Sequence, residues 1–114
     1  MMTVEMLKNY GANTEEGLSR CMNNEAFYLR LVGMGLKDPN FDKLKDAAAR
    51  GDAKEAFEAA HALKGVTGNL ALTPIYTPLS ELTEKLRGKD AIADVSGLLD
   101  QVMEQLEKAR ALNL

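Results

Sequence analysis

Residues 52–72, with the sequence DAKEAFEAAHALKGVTGNLAL, combine a helix-starting signal with a helical spacing of small and apolar residues. Asp52 is followed three residues later by Glu55, a capping box that is typical of a helix N-terminus. Alanine and leucine then recur at intervals of three and four residues, as they do on one face of an α-helix. The pattern predicts a helix from Ala53 to about Leu72.

On a helical wheel at 100° per residue, this helix has two distinct faces. His61, the one histidine of the chain, has Lys64, Gly65, Gly68 and Phe57 within roughly 60° of it. The pattern therefore predicts an imidazole that faces solvent beside a lysine and two glycines. The opposite face is a continuous stripe that we expect to face the core, formed by Ala56, Ala59, Ala60, Leu63, Thr67 and Leu70.

On the N-terminal side of this segment, further helices are predicted from their capping residues. Asn13 and Glu16 form a second capping box, and Asn23 or Asn24 can cap the next helix. An aspartate before a proline then gives a cap with proline at the first helical position. These signals predict helices from Asn13 to Arg20, from Glu25 to about Leu36, and from Asp38-Pro39 to Gly51.

On the C-terminal side, Thr73-Pro74 repeats the cap-plus-proline signal and opens a helix that runs to Leu86, before Gly88. Pro78 follows one turn later and lacks the N–H of a helical hydrogen bond. Either this helix starts at Thr77-Pro78, or its first turn is irregular. A last long helix is predicted from its cap at Asp90, through Ile92 and Val95, to Leu112.

Short loops between these helices place sequential helices antiparallel to one another. The chain of 114 residues has the common size of one domain, and 46% hydrophobic with 27% charged residues is an ordinary globular composition. We therefore predict an all-α fold in a single domain over residues 1–114. Its architecture is expected to be an antiparallel four-helix bundle with short additional N-terminal helices.

Charge and composition exclude several classes of function. The net charge of −3, from 14 Lys and Arg against 17 Asp and Glu, gives no basic excess for a nucleic-acid partner. Cys21 is the one cysteine, so the chain has no internal disulfide and too few ligands for a structural zinc site. No uncharged apolar run approaches the ~20 residues of a membrane span, and no signal-peptide core is present. We expect a soluble cytoplasmic domain with no membrane partner.

The two glycines beside His61 carry more information than the histidine or the lysine, which are both common on solvated helix surfaces. Each glycine costs ~1 kcal/mol relative to alanine in a helix interior. Gly65 and Gly68 face away from the predicted core stripe, so packing within that seam does not explain them. Their position indicates close approach by another molecule.

Among the reactions of an imidazole, phosphoryl acceptance demands the least from the surrounding sequence. A hydrolytic triad needs a positioned nucleophile and an orienting acid, which nothing in the sequence places beside His61. A phosphoryl acceptor needs an accessible ring nitrogen, a nearby cation and room for the donor. His61, Lys64, Gly65 and Gly68 supply these features.

The run His61-x-Leu63-Lys64-Gly65-x-x-x-Asn69-Leu70 resembles the phosphoacceptor motif of histidine-containing phosphotransfer (HPt) domains. Ala71 departs from the family pattern, because glycine is frequent at this position, and Pro74 and Pro78 depart from it at the start of the next helix. The resemblance extends over most of the chain, through Glu16-Gly17-Leu18 and Arg20, through Arg50-Gly51-Asp52, and through residues 79–86.

The resemblance implies a monomer that accepts a phosphoryl group on His61 from a receiver-domain aspartate or a hybrid histidine kinase and passes it to another receiver. It assigns Lys64 to the phosphoryl charge and Gly65 to receiver access. We add Phe57, Gly68 and Asn69 as candidate docking residues. The family's magnesium belongs to the receiver, so no cofactor is expected here. Kinase activity is not expected either, because the chain has no glycine-rich phosphate loop.

Two alternatives stay open at this stage. The same face could bind a signalling partner without phosphorylation, as in a helical adaptor. A metal or redox site through Cys21 and His61 would require these two side chains to be adjacent in space.

Overall fold

The computed structural model describes residues 1–88 and 94–113. Within these ranges the chain is all-helical, without a strand, which confirms the predicted fold class. The helices are α1 (Val4–Tyr10), α2 (Thr14–Arg20), α3 (Glu25–Gly35), α4 (Asn40–Arg50), α5 (Ala53–Asn69), α6 (Thr73–Leu86) and α7 (Ser96–Ala111).

Helices α4 to α7 form the bundle, and α1 to α3 are the short helices that precede it. Helix α4 packs along α5, α5 along α6, and α6 along α7. Ala48 of α4 and Leu99 of α7 line the same surface groove, so the first and last helices of the bundle approach each other there. The predicted antiparallel bundle with additional N-terminal helices is confirmed, and it measures 42 × 25 × 19 Å.

The core stripe predicted for α5 is buried along its whole length, with exposed fractions of 0% to 7%. Its alanines carry little volume, which lets α4 and α6 approach α5 closely. The one hydroxyl in the stripe, on Thr67, donates to the Leu63 carbonyl oxygen at 2.9 Å, so no polar side-chain atom is left unpaired there. Burial of this face fixes the rotation of α5 and turns the opposite face outward.

The predicted helix starts are confirmed wherever a side chain caps a backbone N–H. Asn13 Oδ1 accepts from the Glu16 N–H at 3.2 Å, and Asp52 Oδ1 accepts from the Glu55 N–H at 3.0 Å. Of the two candidates before α3, Asn24 is the cap. Asp38 Oδ1 accepts from the N–H of the first residue of α4 at 2.8 Å.

Helix α5 ends at Asn69, so the predicted end at about Leu72 was three residues too late. Ala71 takes the left-handed conformation with φ 57°. Its N–H donates to the Gly68 carbonyl at 3.1 Å, and the next N–H donates to the Thr67 carbonyl at 2.9 Å. This pair of bonds is a Schellman motif, which usually has glycine where this chain has alanine.

Helix α6 begins at Thr73, so the alternative start at Thr77-Pro78 was wrong. The predicted cap is also one residue off, because Leu72 is the N-cap and no side chain caps this helix. The Leu72 carbonyl accepts from the N–H groups of both Ile75 and Tyr76, at 3.0 and 2.9 Å, which closes the first turn. Pro78 lies inside the helix and is buried, so its packing in the bundle offsets the hydrogen bond that it cannot donate.

The two ends of the chain differ from the sequence prediction. The predicted cap Asp90 lies outside the described residues. Helix α7 begins only at Ser96, with Val95 as its N-cap, so the helix does not include Val95, contrary to the prediction. Asp94 Oδ1 accepts from the Ser96 N–H and hydroxyl at 3.4 and 2.8 Å. Helix α1 was not predicted individually, although Thr3 Oγ1 accepts from the Met6 N–H as an ordinary N-cap.

Met22 and Asn23, two exposed residues after α2, both have positive φ, and Met22 offers a test of backbone strain. Met22 has φ 56° and is 91% exposed. Met22→Gly is expected to raise the free energy of unfolding by about 1 kcal/mol, because a Cβ is unfavourable in this conformation and no packing is lost. Thermal denaturation followed by circular dichroism measures the gain. Met22→Ala keeps the Cβ and is the matched control, so equal melting temperatures for the two variants would contradict the interpretation.

Candidate functional site

His61 lies in the middle of α5, exposed on the face opposite the buried stripe, as the wheel predicts. It opens onto a surface groove of about 640 Å³ between α2, α5 and α6. The groove is lined by Glu16 and Arg20 of α2, by His61, Lys64, Gly65 and Gly68 of α5, and by Tyr76 and Thr77 of α6, among others.

Phe57 stacks on His61, one turn earlier on α5. The ring centroids are 5.7 Å apart and the ring planes differ by 12°. The guanidinium carbon of Arg87 lies 5.1 Å from the centroid of the Phe57 ring, within the range of a cation–π contact. Phe57 therefore contacts both the His61 ring and the Arg87 guanidinium, and the stacking restricts the orientations of the imidazole.

Lys64 lies one turn after His61, where the wheel places it, and its side chain is half-buried. Its Nζ is 3.9 Å from Glu84 Oε1 on α6. The two carboxylate oxygens of Glu84 each accept from Arg87, at 3.1 Å. Hydrogen bonds from Arg87 lower the pKa of Glu84 below its ordinary value, and the charges of Lys64 and His61 act in the same direction.

The two glycines beside His61 have different structural roles. A Cβ on Gly65 would meet no atom within 4 Å, so the helix surface there is open, as expected for access. A Cβ on Gly68 would lie 3.2 Å from Tyr76 Cε2. The expectation that packing does not explain Gly68 was therefore wrong, because α6 approaches this glycine and uses the space that it leaves.

The C-terminal carbonyls of α5 are held by side chains from the N-terminal helices, which the sequence analysis did not predict. Arg20 Nη1 donates to the carbonyl oxygens of Gly68 and Asn69, at 2.7 and 3.2 Å. The Tyr28 hydroxyl donates to the Leu70 carbonyl at 2.9 Å, and burial raises its pKa, which keeps the donor protonated. Asn69 is exposed at this end of the groove. These bonds fix the helix end that follows Lys64.

Cys21 lies in the hydrophobic core, 6% exposed, and it does not line the groove that contains His61. Residues 1–88 and 94–113 contain no group of three or more His, Cys, Asp and Glu side chains that could hold a metal ion. The geometry gives no support to a metal or redox site at His61. Within the same ranges, no helix has the length and apolarity needed to cross a membrane.

Glu84 and Arg87 were not predicted as site residues, and they contact Lys64 and Phe57 respectively. These two residues form an i,i+3 ion pair at the C-terminal end of α6, where Arg87 is the C-cap residue, and such a pair is usually part of a solvated helix face. Only the packing of α6 against α5 brings Glu84 to Lys64, so the sequence of α6 carries no local signal for it.

The arrangement supplies an accessible nucleophile with an ammonium group one turn away and open space beside both. The sequence match agrees with this chemistry: the family model described as Hpt domain matches residues 38–112. No curated protein and no solved structure matches the chain.

Proposed function

The chain belongs to the Hpt domain family, a family of phosphotransfer modules in His–Asp phosphorelays, and from this premise we propose that His61 is its phosphoacceptor. The observation that carries the proposal is the exposed imidazole at the open centre of α5, with Lys64 one turn away. The chain has no second histidine that could take the same part.

The proposed step transfers a phosphoryl group from an aspartyl phosphate of a receiver domain. A ring nitrogen of neutral His61 attacks phosphorus, the bond between phosphorus and the carboxylate oxygen breaks, and the aspartate leaves as a carboxylate. The imidazolium that forms releases its other N–H proton to solvent. Lys64 stabilises the charge on the phosphoryl oxygens during this transfer. The reverse sequence passes the group to a second receiver.

Gly65 serves in this proposal as the point of closest approach, because open space above it lets a receiver bring its aspartate to His61. Phe57, Gly68 and Asn69 belong to the surrounding docking face. Magnesium is contributed by the receiver, and the chain acts as a monomeric phosphocarrier without kinase activity of its own. A hybrid histidine kinase is the other partner that fits this role.

The proposal is tested by incubating the protein with a receiver domain that has been phosphorylated by acetyl phosphate. We expect phosphate to move to the protein in a form that is labile in acid and stable in alkali, as phosphohistidine is, and to map to His61 by mass spectrometry. A complex that forms without any transfer of phosphate would instead identify a helical adaptor.

A further inference from the structure

Glu84 contacts two cations near the proposed phosphoacceptor, Lys64 and Arg87. It accepts two hydrogen bonds of 3.1 Å from Arg87, whereas its oxygen lies 3.9 Å from Lys64 Nζ. Arg87 is further held by its contact with the Phe57 ring. Glu84 is therefore held mainly by Arg87. Its longer contact with Lys64 is the one that can be broken when Lys64 binds another anion.

We infer that Glu84 is a counter-ion for Lys64 that competes with the phosphoryl group on His61, and so keeps this group loosely held. The inference rests on the proposed function, in which Lys64 stabilises the phosphoryl oxygens. Glu84 is a positioning residue in this scheme, because it acts on the transferred group through Lys64.

The competition follows from the charges at the site. A phosphoryl group brings ~1.5 to 2 negative charges at neutral pH, and Lys64 offers one ammonium group on a flexible stem. When the ammonium group turns toward the phosphoryl oxygens, it moves away from the Glu84 carboxylate. The free energy of that lost pair reduces the net stabilisation of phosphohistidine. A relay intermediate benefits from this reduction, since it must release the group to a second receiver.

The matched comparison is Glu84→Gln against Glu81→Gln. Both changes remove one negative charge from α6, and Glu81 is an exposed residue one turn before Glu84. Phosphoramidate, whose nitrogen is already protonated, is the donor: the imidazole attacks phosphorus, the P–N bond breaks, ammonia leaves, and the imidazolium releases its N–H proton to solvent. We expect Glu84→Gln to raise the rate of His61 labelling about two- to fivefold over wild type, with Glu81→Gln close to wild type.

Two further measurements separate a competing counter-ion from a merely structural residue. The increase in labelling rate caused by Glu84→Gln should largely disappear when Lys64 is also replaced by alanine. Glu84 then has no ammonium group for which it competes with the phosphoryl group. The increase should also shrink as the salt concentration rises. A structural role would show instead as a lower melting temperature, with no dependence on Lys64.

Each outcome decides the inference. Equal rates for Glu84→Gln and Glu81→Gln overturn it, as does a gain of the same size in the Lys64→Ala background. Those results leave the proposed function standing as long as His61 is labelled. A wild-type protein that takes no phosphate on His61 overturns the proposed function, and the inference with it.

Discussion

Replacing His61 by glutamine is expected to abolish phosphoryl acceptance from both a phosphorylated receiver and phosphoramidate. Glutamine has no nucleophilic nitrogen, and removal of a nucleophile lowers a rate on the order of 10³-fold or more. The rate of phosphate incorporation, measured by mass spectrometry of the intact protein, gives the result.

The same substitution should leave the bundle folded. His61 is exposed, and the main contact at stake is its stacking on Phe57, a type of pair worth about 0.5–1.5 kcal/mol. Circular dichroism should therefore show unchanged helicity and a small decrease in melting temperature. Labelling of the variant at a rate comparable with wild type would mean that another residue accepts the phosphoryl group.

Helix α5 shows why the positions of the residues at the centre of the site could be predicted from the sequence. Small and apolar residues at helical spacing determine which face is buried, and that face alone fixes the direction of His61. The wheel places Lys64 and Phe57 correctly because neighbours one turn apart depend only on helix geometry. Local periodicity thus predicts the outward orientation of His61 and of its two neighbours on the same helix.

The surroundings contributed by other helices could not be predicted in this way. Arg20 reaches the Gly68 carbonyl across 48 residues of sequence, and Asn13 donates its N–H to the carbonyl of Ala71. The approach of Tyr76 to Gly68 depends on how α6 packs against α5. Such contacts follow from the angle and register between helices, which no single-helix pattern contains.

Errors at the helix ends have a similar physical cause. Ala71 ends α5 in a conformation that alanine rarely adopts, and the bonds of the Schellman motif favour it over a further turn of helix. Pro78 continues α6 because burial in the bundle offsets its missing donor. At Ala71 backbone hydrogen bonds outweigh the local preference of the residue, and at Pro78 burial in the bundle does so.

The second large effect is expected at Gly65, where access by the receiver can be separated from stability. Gly65→Ala should leave the isolated domain equally stable or more stable, by up to ~1 kcal/mol, because alanine is the better helix former and its Cβ meets no atom within 4 Å. Gly65→Gln should also fold. Both should slow transfer from a phosphorylated receiver, and glutamine on the order of 10²-fold, because the aspartyl phosphate must come within bonding distance of the imidazole.

Gly33 provides the matched control, because it is also a helical glycine whose added Cβ would meet no atom within 4 Å, and it lies on α3 outside the groove. Gly33→Gln should change stability as Gly65→Gln does and leave the transfer rate unaltered. Phosphoramidate, which needs little space, should label the Gly65 variants within about threefold of wild type. Thermal melts, together with the transfer rates from the phosphorylated receiver and from phosphoramidate, decide whether Gly65 serves access or packing. A strongly destabilised Gly65→Ala would assign this glycine to packing, and equal losses with both donors would mean that the added side chain disturbs His61 itself.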